Sequence, residues 1–154
     1  MDDVIQINSH FTVAKSALDE AGIRQAAEDG FQTIVNLRTE NEKQSLDPEA
    51  EGRIVRDQGL SYLHHPVSGD DLSDKVVDRF RRTARTLPGP ILVHCATGKR
   101  SGAMVMIHLA VEQGLSGDQA VEKAAHLGFE CDTPELEEFV KGYVDRHTKA
   151  RTAA

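Results

Sequence analysis

Cys95 and Arg100, separated by Ala96, Thr97, Gly98 and Lys99, are the residues of this chain whose types and spacing best suit chemistry. They sit between an apolar run, Ile91-Leu92-Val93, and a second one from Ala103 to Val111. The first reads as a buried strand and the second as a helix, so the two residues share a strand-to-helix turn. A thiol there faces the amino end of a helix, where unpaired N–H groups and the helix dipole favour negative charge. Such a setting lowers a cysteine pKa and yields the nucleophilic thiolate. The same turn suits an anionic substrate group. Peptide N–H groups from Ala96 to Arg100 can converge, Gly98 permits the tight backbone, and Arg100 offers a planar fork for two oxygens. Ser101 is placed to hydrogen-bond a leaving thiolate, and Lys99 either adds local charge or points to solvent. The plainer alternative is a buried cysteine packed as a small hydrophobe beside a structural arginine. A nucleotide-binding phosphate loop is excluded, because Val93 stands where that loop needs glycine.

The run His94-Cys95 through Arg100-Ser101 resembles the signature of the cysteine-dependent phosphatase superfamily, with one departure. That superfamily has five residues between Cys and Arg; here there are four. One residue fewer removes an N–H donor and up to about 3.5 Å of chain, which narrows the cavity. Four-residue spacing resembles rhodanese-type sulfurtransferases, which carry a persulfide on the cysteine. It also resembles a bacterial phosphatase-like family found alone or fused to metallo-β-lactamase-like domains. The latter, and dual-specificity phosphatases more broadly, resemble the chain over nearly its whole length. The further points of contact are the strand ending Asn36-Leu37-Arg38 and the Pro66-Val67 loop with Asp70 and Asp71. The resemblance implies that Asp70 or Asp71 protonates the leaving oxygen and that His94 supports the loop from behind. Ordinary turn and capping chemistry is the competing account of the two aspartates, with Asp71 better placed to cap a helix. Arg38 and the residues from Thr39 to Ser45 are candidates for the rim of the site. The alternatives for Arg38 are contact with substrate there and bracing of a loop.

The elements that must position these groups alternate. Val4 to Ile7 and Phe11 to Val13 suggest strands, Leu18 to Asp29 a helix stopped by Gly30, and Thr33 to Arg38 a buried strand. A helix opens at Asp47-Pro48 and runs to about Gln58 before Gly59, and Ser61 to His65 form another strand. Leu72, Val76, Val77, Phe80, Ala84 and Leu87 recur at helical spacing, with Arg79, Arg81, Arg82 and Arg85 decorating a solvated face. Gly102 to Gln113 is apolar nearly all round, so His108 reads as a core histidine. Ser116 to Gln119 form a capping box for a helix to Leu127, stopped by Gly128. Thr133-Pro134 opens the last helix, whose stripe is Leu136, Phe139, Val140, Tyr143 and Val144; the tail after His147 is expected to fray. The order predicts an α/β fold, a small mainly parallel sheet flanked by helices in one domain, with the site at the strands' carboxyl ends, and it resembles the dual-specificity phosphatase fold.

Composition sets the limits. The 154 residues fit one domain, and 18 Lys and Arg against 25 Asp and Glu give a formal charge of −7, unlike a nucleic-acid-binding surface. No basic leader precedes an apolar run and no stretch approaches the ~18 apolar residues of a membrane span, so a soluble cytoplasmic protein is expected. Cys95 and Cys131 do not make a disulfide framework, although Cys131 is a conceivable resolving thiol. His64 and His65 are adjacent on a strand and point to opposite faces, so no metal site is expected, and the chemistry requires no cofactor. The expected activity is hydrolysis of a phosphomonoester through a phosphocysteine. The alternatives are sulfur transfer through a persulfide on Cys95 and a non-catalytic module that binds phosphorylated or other anionic partners. Oligomeric state is not legible.

Overall fold

The computed structural model describes residues 4–40, 42, 46–68, 72–96, 99–128 and 134–153, with side chains through Thr148. They fall into two compact units, 1–101 and 102–154. The first contains β1 (Val4–Gln6), β2 (Phe11–Ala14), α1 (Glu20–Glu28), β3 (Thr33–Asn36), α2 (Pro48–Asp57), β4 (Ser61–His64), α3 (Asp74–Ala84) and β5 (Ile91–His94). Its five strands form one sheet in the order β1-β2-β5-β3-β4. Only β1 is antiparallel to its neighbour. The α/β fold with a mainly parallel sheet is thus as the sequence pattern predicts.

β5 enters last and takes the centre, between β2 and β3. Every residue of β2, β3 and β5 is buried, which is why these strands read as continuous apolar runs and do not alternate. Leu92 lies level with Ile34, and Ile34 with Tyr62. Two residues on, His94 lies level with Asn36 and Asn36 with His64. Side chains two apart share a face, so this polar row lies at the carboxyl end of the apolar face that carries Ile34 and Leu92. That face packs with Ala14, Leu18, Ile23 and Ala26 beside β2 and on α1, and with Val55 of α2. β3 ends at Asn36, short of the predicted Arg38, because the Asn36 Oδ1 accepts the Arg38 N–H at 2.9 Å and turns the backbone out of the ladder.

Caps fix where the helices begin. Asp19 accepts from the Gly22 N–H and Asp47 from the Ala50 N–H, with Pro48 in the first helical turn of α2. Gly30 and Gly59 follow with φ of +93° and +82°, the left-handed stops the sequence suggests. α3 departs from expectation: it starts at Asp74, and Ser73, whose side chain accepts from the Val76 N–H, is the cap expected of Asp71.

The second unit holds α4 (Lys99–Gln113) from Gly102 onward, α5 (Gly117–Leu127) and α6 (Pro134–Ala153). Residues 102–111 are all buried, His108 among them. Ser116 and Gln119 make the predicted capping box, and Gly128 closes α5 at φ +100°. α5 meets α6 through Gly117, where a Cβ would lie 2.5 Å from the Lys141 carbonyl oxygen. Its N–H donates to Asp145 Oδ1 at 2.7 Å. α6 stays helical through Ala153, beyond the fraying point expected at His147. Among the described residues no helix is long and apolar enough to cross a membrane.

Candidate active site

β5 stops at His94, and Cys95 is the next residue. Its side chain is enclosed, at 0% exposure, but not by hydrocarbon alone. Sγ lies 3.4 Å from the Ser101 hydroxyl, itself buried in the first turn of α4. That turn begins at Lys99, so the amino end of a 15-residue helix follows the cysteine closely. The positive end of a helix dipole favours a thiolate or a bound oxyanion there. Ala96 and Lys99 are exposed at the turn, whereas Thr97 and Gly98 lie outside the described residues.

Arg100 is half-buried and heavily engaged. Nη1 donates to Glu42 Oε2 at 2.7 Å and to the Val67 carbonyl at 2.8 Å, while Nη2 donates to Glu42 Oε1 at 2.6 Å. The Thr39 N–H also donates to Glu42 Oε2, at 2.6 Å. Arg100 above all, followed by the Thr39 amide, offsets the cost of burial and holds the Glu42 carboxyl down at about 2, from 4.5. The Arg100 pKa is raised, first by its hydrogen bond to Glu42, against burial, and then by the charge of Cys95 and a hydrogen bond to it. Arginine, carboxylate and thiol therefore form one cluster.

A second polar cluster lies beneath the loop. Arg38, expected either at the rim or as a brace for a loop, has a side chain only 1% exposed, and its Nη2 donates to Glu51 Oε1 at 3.0 Å. Burial of that guanidinium removes it from any rim surface and makes it a brace. The other Glu51 oxygen meets His94 Nε2 at 2.8 Å. Asn36 Oδ1 receives the Arg38 Nε–H at 3.3 Å, and Asn36 Nδ2 donates to the Tyr62 hydroxyl at 3.1 Å. Burial, and then the Glu51 charge, raise the Tyr62 pKa. His94 thus faces away from the thiol into this network, the orientation expected of a supporting residue. Among the described residues its Nδ1 has no hydrogen-bond partner.

Glu51 is the site residue that sequence reasoning missed, and Glu42 fell within the Thr39 to Ser45 rim stretch without being singled out. Glu51 had a signal: Pro48, Glu51, Gly52 and Val55 are the buried stripe of α2, so a carboxylate stands where the helical pattern calls for an apolar residue. Nothing in the stretch after β3 set Glu42 apart from its polar neighbours. Asp70, Asp71 and Cys131 lie outside the described residues. His64 and His65 diverge as expected, His64 Nε2 to the Arg38 carbonyl at 2.6 Å and His65 Nε2 to that of Val76 at 3.3 Å. Among the described residues no His, Cys, Asp or Glu cluster could hold a metal ion.

The α/β fold that brings a central parallel strand to this cysteine-bearing turn is shared with solved structures. A candidate phosphatase from Neisseria meningitidis superposes with a TM-score of 0.77 at 23% identity, covering 93% of this chain and 99% of that one. A Cys-to-Ser variant of P. aeruginosa TpbA, in a complex with pTyr, superposes with a TM-score of 0.75 at 18% identity, covering 99% of this chain and 91% of that one. Residues 3–112 match the phosphatase-like domain of beta-lactamase hydrolase-like protein, and the chain belongs to that family. A beta-lactamase hydrolase-like protein of Xylella fastidiosa is 27% identical over 129 residues, which cover 82% of this chain and 30% of that protein. The chain thus spans under a third of that relative's length.

Proposed function

We propose that the chain is a thiol-dependent phosphatase acting on phosphomonoesters. The observation that carries this reading is the Arg100 guanidinium, held by Glu42 and Val67 and coupled to the Cys95 sulfur. Cys95 Sγ attacks phosphorus, the P–O ester bond breaks, and the leaving oxygen takes a proton from Asp70 or Asp71. Arg100 and the N–H groups of residues 96–100 stabilise charge on the equatorial oxygens. Water then attacks the phosphocysteine, releasing inorganic phosphate and the thiolate, which the Ser101 hydroxyl stabilises. His94, with Arg38 behind it, holds the loop and touches no substrate. Glu42 cannot supply the proton near neutrality, since its carboxyl is ionised down to about pH 2.

That last point favours a second reading, sulfur transfer. The Cys95 thiolate takes the outer sulfur of thiosulfate and sulfite leaves as an anion, so no proton donor is needed. The short spacing between Cys95 and Arg100 suits a small anion of this kind. The test is p-nitrophenyl phosphate and, separately, thiosulfate with a thiol acceptor, each with the unaltered chain and with Cys95→Ser. Phosphate release abolished by the substitution supports hydrolysis. A persulfide on Cys95 without phosphate release replaces it with sulfur transfer. Absence of both leaves an anion-binding module. With hydrolysis established, Asp70→Asn and Asp71→Asn separate the acid: the true donor's loss slows poor leaving groups more than good ones.

A further inference from the structure

A guanidinium has five N–H donors, and at Arg100 three of them are accounted for by position. Both Nη1 hydrogens are taken, by Glu42 Oε2 and the Val67 carbonyl, and one Nη2 hydrogen goes to Glu42 Oε1. The carboxylate therefore grips the outer Nη1/Nη2 edge. The remaining pair, Nε–H and the second Nη2–H, lies on the adjacent edge and forms a two-pronged fork matched to two oxygens of a phosphate or sulfate. Arg100 directly precedes Ser101, whose hydroxyl lies 3.4 Å from the Cys95 sulfur, so arginine and thiol share one turn. Glu42 is itself held: the Thr39 N–H binds Oε2, and Thr39 follows Arg38, whose N–H and carbonyl are fixed by Asn36 and His64.

We propose that Glu42 is the positioning residue of the anion site, gripping Arg100 by its outer edge so that the Nε/Nη2 edge is presented to an oxyanion at Cys95. The proposal deepens the reading of a thiol-based oxyanion site and rests on it. A carboxylate competing with substrate would instead lie on the edge that faces the sulfur. Glu42 touches neither thiol nor anion in this role; it acts through Arg100. Its effect on anion binding has two opposing parts, repulsion of the incoming charge and orientation of the fork, and the grip on both Nη atoms makes orientation the larger.

The experiment is protection of Cys95 from iodoacetamide by inorganic phosphate and by sulfate, with alkylation read on the Cys95 peptide by mass spectrometry. Glu42→Gln and the control Glu49→Gln, an exposed carboxylate in the first turn of α2, are compared with the unaltered chain. Glu42→Gln should weaken protection by about tenfold or more, the scale of a charge-assisted bond to arginine, while Glu49→Gln leaves it unchanged. Equal or tighter protection in Glu42→Gln overturns the proposal, and so does an equal loss in Glu49→Gln, which would reduce the effect to general charge. If phosphate protects the unaltered chain and Glu42→Gln weakens that protection, yet p-nitrophenyl phosphate is not hydrolysed, phosphatase activity fails and the role of Glu42 stands. No protection by either anion sinks both.

Discussion

Among the described residues, two arginine–glutamate pairs lie at the carboxyl end of the sheet, and they differ in depth. Arg38 and Glu51 are 1% and 0% exposed, whereas Arg100 and Glu42 are 20% and 24% exposed. Both glutamates use both oxygens. Glu51 spreads them over Arg38 and His94, tying β3 and β5 to α2, while Glu42 spends both on one guanidinium. Burial explains the division of labour. A sealed charge must be paired or the fold loses stability, so the deep pair acts as structure. A half-open pair keeps an edge for a ligand and contributes little to stability, so it can serve binding. The two are joined in sequence through Arg38 and Thr39, by which the rigid layer steadies the open one.

The strongest way to break this contrast is to remove the deep carboxylate. Glu51→Ala leaves a buried guanidinium and the His94 ring without their shared acceptor, and stability should fall by about 3–5 kcal/mol. Urea unfolding at neutral pH measures it. A loss below about 1 kcal/mol, the value of an exposed pair, would show that depth does not separate the two glutamates. Tyr62→Phe probes the edge of the same layer more gently. It removes the acceptor of the Asn36 Nδ2 bond and should cost about 1 kcal/mol, with phosphate protection of Cys95 unchanged. Protection that weakened with Tyr62→Phe would mean the deep layer is part of the anion site itself.

How much of this was legible in the sequence follows the same division. Parallel strands announce themselves by continuous apolar runs, and Ile91 to Val93 and Thr33 to Asn36 behaved so. The Cys95, Arg100 and Ser101 set was legible because its members lie within seven consecutive residues. The carboxylates were not, because their partners are distant in sequence: 58 residues separate Glu42 from Arg100 and 43 separate Glu51 from His94. Only tertiary structure brings such pairs together. Glu51 was half-visible, as a charge on the buried stripe of α2. Arg38 stayed open between rim and brace for a related reason: an arginine ending a strand suits either place until its buried partner is known.

The smallest expected effect concerns the open pair and acid. The Glu42 carboxyl titrates at about 2 in the folded chain against 4.5 for an ordinary carboxyl, so below 4.5 the unfolded chain binds the proton more readily than the folded one. Stability from this group is therefore fully present above pH 4.5 and is lost as pH falls toward 2. Because the pair is partly open, solvent screening keeps its value to about 1 kcal/mol or less. Glu42→Gln lacks the titration, so the stability gap between it and the unaltered chain should be flat from pH 7 to about pH 5. It should then close toward zero by about pH 2. Urea midpoints at pH 7, 5, 3.5 and 2.5 measure the gap, and added salt should narrow it at neutral pH. A gap of the same size at every pH would mean that the carboxylate charge contributes nothing to holding Arg100, and that shape alone orients the guanidinium.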